Sequence, residues 1–146
     1  MMKAAFFALA MFVALPVFAA ESLQTLEPTT LFDGPSKKAN PRFILSGGYP
    51  LKEISRVHGW RKVLIFSGEI GWVREKKTRP QQAVVVKNNN AAVRFEPSDN
   101  SPPIFFAVSN VVLDVLSKKA RPGWLHVLHV NGESGYIAVT DVWLNY

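Results

Sequence analysis

The chain has 146 residues, no cysteine and a formal net charge of +6, from 17 Lys/Arg against 11 Asp/Glu. The absence of cysteine excludes disulfides, thiol catalysis and cysteine-based metal sites. The length is enough for one ordinary domain or two very small ones, and such small domains must be held together by packing.

The first residues have the pattern of a secretory signal peptide. Lys3 is the only charged residue before Glu21, and residues 4–15 form an unbroken apolar run. Small residues then precede the bond after Ala19, so we expect cleavage there. A membrane anchor is the alternative, but the run is shorter than the ~20 residues that a spanning helix needs. Residues 1–19 are therefore predicted to be a signal peptide, with no stable membrane span after its removal.

The remaining sequence contains one pattern twice, at a spacing of 64 residues. In each copy a Gly-aromatic pair enters a strand, a glycine-containing turn follows, and a second Gly-aromatic pair enters the next strand. A hairpin turn places the two aromatic residues on neighbouring strands. The two copies begin at Gly59-Trp60 and Gly123-Trp124, and they continue at Gly71-Trp72 and Gly135-Tyr136.

In chain order, residues 20–28 are expected to be a polar lead-in, and short runs of strand formers follow between turns. The basic segment 74–80 marks a boundary between the two copies. No stretch after the signal shows a sustained helical period, so the sequence favours an all-β barrel or sandwich. The predicted strands are 29–32, 42–45, 49–56, 60–66 and 69–73 in the first copy, and 81–86, 93–95, 124–130 and 133–137 in the second.

These motifs resemble bacterial SH3 domains. The run Trp60-Arg61-Lys62-Val63, followed by a loop and Gly71-Trp72-Val73, is similar to the SH3b pattern. Tyr49-Pro50-Leu51 matches an element of the exported tandem SH3-like family of Gram-negative bacteria. Phe32 stands where that family usually has arginine, which the second copy keeps as Arg94. The resemblance implies two tandem SH3-like small β-barrels, residues 29–80 and 81–146, in a periplasmic protein.

The aromatic residues are the candidate ligand-binding residues, because SH3-type barrels generally bind peptides on an aromatic surface. Packing within the barrels is the alternative role for these rings. The expected function is non-catalytic recognition of cell-wall peptide, that is peptidoglycan peptide, or of another envelope component. The alternative is an interaction scaffold for a periplasmic protein partner, without wall affinity. The candidate ligand-binding residues are Tyr49, Trp60, Arg61, Trp72, Trp124 and Tyr136.

Catalytic chemistry finds no support in the sequence, so no catalytic residue, metal site or cofactor is predicted. His126 and His129 lie an odd number of positions apart on one predicted strand, which places them on opposite faces. His58 has no carboxylate at a recognisable spacing. The carboxylates are scattered singly, and no phosphate-binding or nucleophile motif is present. Nucleic acid is disfavoured as a partner because export removes the chain from it.

The charge is uneven between the two copies. Residues 20–79 carry eleven Lys/Arg against six Asp/Glu, whereas residues 80–146 carry five of each. We therefore expect the first copy to bind an acidic partner and the second to be mainly structural. The run Arg74-Glu75-Lys76-Lys77-Thr78-Arg79 either contacts an anionic polymer or is a solvated junction loop. The oligomeric state is not predicted.

Overall fold

The computed structural model describes residues 2–4 and 21–143. Within these residues the chain forms β-strands and two short 3₁₀ helices, and it contains no α-helix. In this described part no helix is long and apolar enough to span a membrane. The predicted all-β class is confirmed. The expected signal peptide, residues 1–19, lies outside the described residues except for residues 2–4.

Seven strands of the first half form one antiparallel sheet. They are β1 (Ser22–Thr25), β2 (Thr29–Phe32), β3 (Pro41–Leu45), β4 (Pro50–Val57), β5 (Trp60–Leu64), β6 (Ile70–Arg74) and β7 (Thr78–Pro80). Their order across the sheet is β3-β2-β6-β5-β4-β1-β7. A 3₁₀ helix, Glu75–Lys77, connects β6 to β7.

The second half forms another antiparallel sheet of seven strands. They are β8 (Ala83–Val86), β9 (Ala91–Arg94), β10 (Pro103–Ala107), β11 (Val112–Arg121), β12 (Trp124–Leu128), β13 (Ser134–Ala138) and β14 (Val142–Trp143). Their order is β10-β9-β13-β12-β11-β8-β14, which matches that of the first sheet strand for strand. A 3₁₀ helix, Val139–Asp141, precedes β14.

Each sheet wraps an apolar core of its own. Buried residues alternate with more exposed ones along β2, β6, β9 and β13, and this period of two separates an inner face from an outer face. The fully buried inner residues include Leu31, Leu51, Val63 and Val73 in the first sheet, and Val93, Leu113, Val127 and Ile137 in the second.

Neither sheet closes into a continuous barrel. The hydrogen-bonded order of the first sheet ends at β3 on one side and at β7 on the other. Four of the five residues of β3 are exposed, and only Leu45 reaches the core. The hydrogen-bonded ladder does not return from β3 to β7, nor from β10 to β14 in the second sheet, so the SH3-like small barrels expected from the sequence are open sheets.

The sequence did not predict strand β1, because three of its four residues are polar. The sequence predicted a polar lead-in over residues 20–28, yet Gln24 and Thr25 are fully buried. Thr25 Oγ1 donates to the Ser46 carbonyl oxygen at 2.6 Å and accepts from the Tyr49 backbone N–H at 2.9 Å. These hydrogen bonds satisfy the buried hydroxyl, so polarity here does not indicate exposure.

The basic segment 74–80 is also more ordered than the sequence indicated. It contains the 3₁₀ helix Glu75–Lys77 and strand β7, which pairs with β1. Its backbone hydrogen bonds fix Arg74 at the end of β6 and leave its side chain on the outer face of the sheet. The segment is therefore part of the first sheet and is not a loop, although none of its residues is buried.

Gly71 allows β6 to approach β2 closely. A Cβ atom at this position would lie 2.6 Å from Leu31 Cγ and 2.8 Å from the Phe32 carbonyl oxygen. Gly135 has the same role in the second sheet, where a Cβ atom would lie 2.6 Å from the Arg94 carbonyl oxygen. Only glycine fits between strands packed at this distance.

The two sheets meet at a buried junction. Val85 of β8 is fully buried within the core cluster of the first sheet. The Gln24 side-chain oxygen accepts a hydrogen bond from the Gln82 backbone N–H at 2.6 Å. The Tyr49 hydroxyl donates to Asn110 Oδ1 at 2.9 Å. Polar and apolar contacts therefore join the two halves across the strands that flank the junction.

Candidate binding face

Strands β5 and β6 place two tryptophans and two cations on the outer face of the first sheet. Their register pairs Trp60 with Arg74 and Lys62 with Trp72. These residues alternate along their strands with inner residues such as Val63, which is fully buried, so they point away from the core. All four side chains are half-buried, and each ring and each charge therefore remains partly accessible.

Each cation of this group lies against a tryptophan ring. Arg74 Cζ is 5.3 Å from the centroid of the Trp60 ring, and Lys62 Nζ is 5.9 Å from that of Trp72. Phe32, on the neighbouring strand β2, meets the Trp60 ring edge to face, with 5.6 Å between centroids. Cation–π contacts at exposed sites are worth ~0.5–1 kcal/mol, so the rings position the cations without neutralising them. We call Phe32, Trp60, Lys62, Trp72 and Arg74 the aromatic–cation face.

The two charges of this face have no carboxylate partner in the part of the chain that the structure describes. Neither Lys62 nor Arg74 takes part in any of its ion pairs. Glu75, beside Arg74, instead forms an ion pair with Arg61 at 3.3 Å.

A shallow cleft of about 400 Å³ adjoins the aromatic–cation face. Its lining residues are His58, Gly59, Trp60, Arg74, Glu75 and Lys76.

The corresponding surface of the second sheet is aromatic but has fewer cations. Trp124 lies opposite Ala138, and His126 lies opposite Tyr136. The rings of His126 and Tyr136 stack with 4.6 Å between centroids and an interplanar angle of 18°. An alanine and a histidine therefore occupy the positions that Arg74 and Lys62 hold in the first sheet.

The remaining cation of the second surface has a structural partner. Arg94 lies opposite Tyr136, in the position that Phe32 holds beside Trp72. Its guanidinium donates to the Ser101 carbonyl oxygen at 2.8 Å. Arg94 therefore holds the loop after β9 and is less available to a ligand than Lys62 and Arg74.

Four of the sequence-predicted residues lie on these surfaces, and the structure places the other two elsewhere. Trp60 and Trp72 come together on the first outer face, and Trp124 and Tyr136 on the second. Tyr49 is only 8% exposed and packs in the first core. Burial raises the pKa of its hydroxyl, which remains a donor to Asn110. Tyr49 thus joins the two halves and does not share a surface with Trp60.

Arg61 belongs to a partly buried ion-pair network beneath the sheet. Its guanidinium pairs with Glu53, whose side chain is fully buried, and reaches Glu75 at 3.3 Å. Glu53 also accepts from Arg56, and this hydrogen bond raises the pKa of the Arg56 guanidinium. Because Arg61 alternates with Trp60 along β5, its side chain is directed away from the aromatic–cation face.

The second sheet replaces this network by apolar side chains. Val115 corresponds to Glu53 at a spacing of 62, and Leu125 and Val139 correspond to Arg61 and Glu75 at 64. Leu125 is buried in the second core, and Val115 and Val139 pack against that core. The same backbone therefore accommodates either three charged residues or three hydrophobic ones at these positions.

The sequence interpretation selected Arg61 as the binding cation and missed Lys62, Arg74 and Phe32 as a set. The signal that identifies them is the strand period of two. Positions two residues from each tryptophan share its face, whereas adjacent positions do not. Applied to Trp60 and Trp72, this rule places Lys62 and Arg74 on the same face of the sheet as the two rings.

The histidines and carboxylates of the described residues form no metal cluster of three or more potential ligands. His126 stacks on Tyr136, whereas His129 lies against Phe105 with 5.6 Å between ring centroids. The two histidines thus contact different parts of the second sheet. The Asp33 carboxylate accepts two hydrogen bonds from Asn40, and these bonds lower its pKa. They close the loop after β2.

Residues 87–143 match the family model described as "Bacterial SH3 domain". This range contains strands β9 to β14 and lacks only β8 of the second sheet. This match confirms the bacterial SH3-like resemblance for the second half of the chain. A search of curated proteins finds no match.

Three solved structures show distant similarity. They are "Structure of NlpC2 from Trichomonas vaginalis" (14% identity, TM-score 0.40), "Structure of NlpC1 from Trichomonas vaginalis" (13%, 0.39) and an NlpC/P60 family protein from Bacillus cereus ATCC 10987 (15%, 0.41). The similarity covers 88%, 96% and 84% of this chain and 49%, 51% and 56% of those chains, respectively. The chain thus spans about half the length of these proteins, and similarity at this level assigns no activity to it.

The ion-pair network leads to a stability prediction. Among the described residues, Arg61→Leu leaves the buried Glu53 with only the exposed Arg56 as an ion-pair partner, so we expect it to lower the free energy of unfolding by at least ~2 kcal/mol. The triple variant Glu53→Val/Arg61→Leu/Glu75→Val copies the second sheet and should recover most of that loss, because no charge is left unpaired. Urea denaturation followed by tryptophan fluorescence measures both.

Arg42→Leu is the matched control. Arg42 forms a solvent-exposed pair with Glu69 at 3.8 Å, so its loss should cost no more than ~1 kcal/mol. Equal costs for Arg61→Leu and Arg42→Leu would show that the network contributes nothing beyond a surface pair.

Proposed function

We propose that this protein is a non-catalytic binding module of the cell envelope, which recognises cell-wall peptide or another envelope component through the aromatic–cation face. The observation that carries the proposal is the set of half-buried tryptophans and uncompensated cations on the outer face of β5 and β6. Surfaces of this composition suit ligand recognition, since rings contribute contact area and fixed charges contribute selectivity.

The first half is the binder in this proposal, and the second half is mainly structural. Lys62 and Arg74 provide two free charges on the first surface, whereas His126 and Ala138 stand at their positions on the second. After residue 19, the excess of Lys/Arg over Asp/Glu is also confined to residues 20–79. A basic surface attracts anionic ligands and raises their rate of association. Residues 87–143 match a bacterial SH3 domain, and the first sheet has the same strand order as the second, which supports a binding role for this fold in general terms.

The location we propose is the periplasm, reached by cleavage of residues 1–19. The apolar run after Lys3 and the small residues before Ala20 support it. Expression of the full-length sequence in a Gram-negative host should give a periplasmic protein whose intact mass lacks residues 1–19. A chain that retains these residues, or that stays in the cytoplasmic fraction, would refute the signal peptide.

Wall binding is tested by co-sedimentation of the exported protein with purified sacculi at low and moderate salt. We expect the protein to pellet at low salt and less of it to pellet at moderate salt, because exposed charges are screened. Trp60→Ala should reduce pelleting severalfold, whereas Trp124→Ala, its counterpart 64 residues on, should change it little. Far-ultraviolet circular dichroism checks that both variants fold. Protein that stays in the supernatant at both salts would exclude wall affinity.

An apolar groove favours the alternative role as a scaffold for a periplasmic protein. Strand β3 is a sheet edge, and its Phe43 and Ile44 are 40% and 78% exposed. An extended segment of a partner can add to such an edge by backbone hydrogen bonds. The groove beside it measures about 570 Å³ and is lined by Phe43, Ile44, Leu45, Ser46, Tyr49, Ile65, Phe66, Ser67, Glu69 and Asn110.

The two roles are separated by crosslinking in cells. One dominant crosslinked protein, together with no sedimentation on sacculi, would replace wall binding by the scaffold role. Sedimentation that depends on Trp60, without a dominant protein product, supports wall binding.

A further inference from the structure

We propose that the aromatic–cation face takes an extended peptide that carries two carboxylates two residues apart. The inference rests on the proposed function, and it adds the chemical class of the ligand and the spacing of its charges. It depends on the positions of Lys62 and Arg74 relative to each other and to the two tryptophan rings.

The two cations occupy opposite corners of a square. Trp60 and Arg74 form one cross-strand pair, and Lys62 and Trp72 form the next pair on the same face. Diagonal neighbours on an antiparallel sheet are about 7–8 Å apart. The strand register therefore places Lys62 and Arg74 at that spacing along the sheet, and each of the two residues has a tryptophan on either side of it.

An extended peptide offers matching charges only at one spacing. Side chains at positions i and i+2 lie on the same side of the chain, about 6.8 Å apart for a rise of about 3.4 Å per residue. Side chains at i and i+1 point to opposite sides. Carboxylates at i and i+2 can therefore reach Lys62 and Arg74 together, whereas adjacent carboxylates cannot.

The environment of the two cations favours carboxylates over other groups. Arg74 presents a planar guanidinium that suits a carboxylate in bidentate geometry, and Lys62 presents a single ammonium. Both lack an ion-pair partner in the described residues, so a ligand displaces no internal partner. Contact with Trp60 and Trp72 restricts their motion in advance, which lowers the entropy cost of binding.

The rings define what lies between the two charges. A peptide that spans the diagonal passes between Trp60 and Trp72, and its backbone there can pack on the ring faces. Phe32 borders Trp60 and extends the apolar area toward β2. A small apolar side chain two residues before or after the carboxylates lies on the same side of the peptide, and it therefore fits this apolar area better than a charged one.

The second sheet provides a natural comparison. Ala138 stands at the Arg74 position and His126 at the Lys62 position, with Trp124 and Tyr136 in place of the tryptophans. The scaffold is the same, but the diagonal pair of permanent charges is missing. The second face should therefore not bind such a peptide unless the two cations are introduced.

The test uses three synthetic hexapeptides, acetylated and amidated so that only side chains carry charge. Their sequences are Ala-Glu-Ala-Glu-Ala-Ala, Ala-Glu-Glu-Ala-Ala-Ala and Ala-Gln-Ala-Gln-Ala-Ala. Titration of the exported protein, followed by tryptophan fluorescence at low salt, gives the dissociation constants. We expect the first peptide to bind at least about fivefold more tightly than the second, and the third to show no binding, because only the first reaches both cations. Equal binding of the first two peptides would overturn the proposal.

Substitutions locate the site. Arg74→Gln and Lys62→Gln should each weaken binding of the first peptide about fivefold. Lys119→Gln, an equal charge change on an exposed lysine of the second half, should leave it unchanged. An equal loss for Lys119→Gln would show that the attraction is only that of overall charge, and would contradict the proposal.

A gain-of-function variant does not depend on loss of binding. Ala138→Arg/His126→Lys places both cations beside Trp124 and Tyr136, and calorimetry should then give about two bound peptides per chain in place of one. A stoichiometry that stays at one would contradict the spacing argument.

One outcome is that the protein sediments with sacculi in a way that requires Trp60 while the first peptide binds no better than the third. In that case the proposed ligand class is wrong and the proposed function stands.

Discussion

The register between β5 and β6 is the constraint on which the aromatic–cation face depends. It sets Trp60 against Arg74 and Lys62 against Trp72. A slip of one residue would turn these side chains into the core and expose Val63. Gly71 supports the register from the other side of β6, because the absence of a Cβ atom lets β2 approach. That approach also brings Phe32 against the Trp60 ring.

The two halves show how one backbone carries two kinds of surface. Their strand orders are the same, yet Glu53, Arg61 and Glu75 are replaced by Val115, Leu125 and Val139. Apolar packing at a buried position is usually at least as stable as a buried ion pair. The network is therefore not needed for the fold itself. Its effect in the first half is to engage Arg61 and Glu75, so that neither competes for the outer face.

The sequence predicted the parts of the fold that repeat. Glycine-aromatic pairs located β5, β6, β12 and β13, because glycine and turn residues have strong local preferences. It did not predict β1, since the buried Thr25 hydroxyl is compensated by hydrogen bonds to distant segments. The site was predicted in part: the tryptophans follow from the motif, whereas the partner of Trp60 follows only from strand register. Adjacent Arg61 was chosen, but cross-strand Arg74 is the residue that contacts the ring.

The central claim is that the first outer face, and not the second, is the binding surface. The chain has four tryptophans, so the indole N–H signals in a ¹⁵N-labelled sample report both faces at once. On addition of soluble peptide fragments released from sacculi, the signals of Trp60 and Trp72 should shift, and those of Trp124 and Trp143 should stay in place. A shift of the Trp124 signal, with those of Trp60 and Trp72 unchanged, would contradict the account.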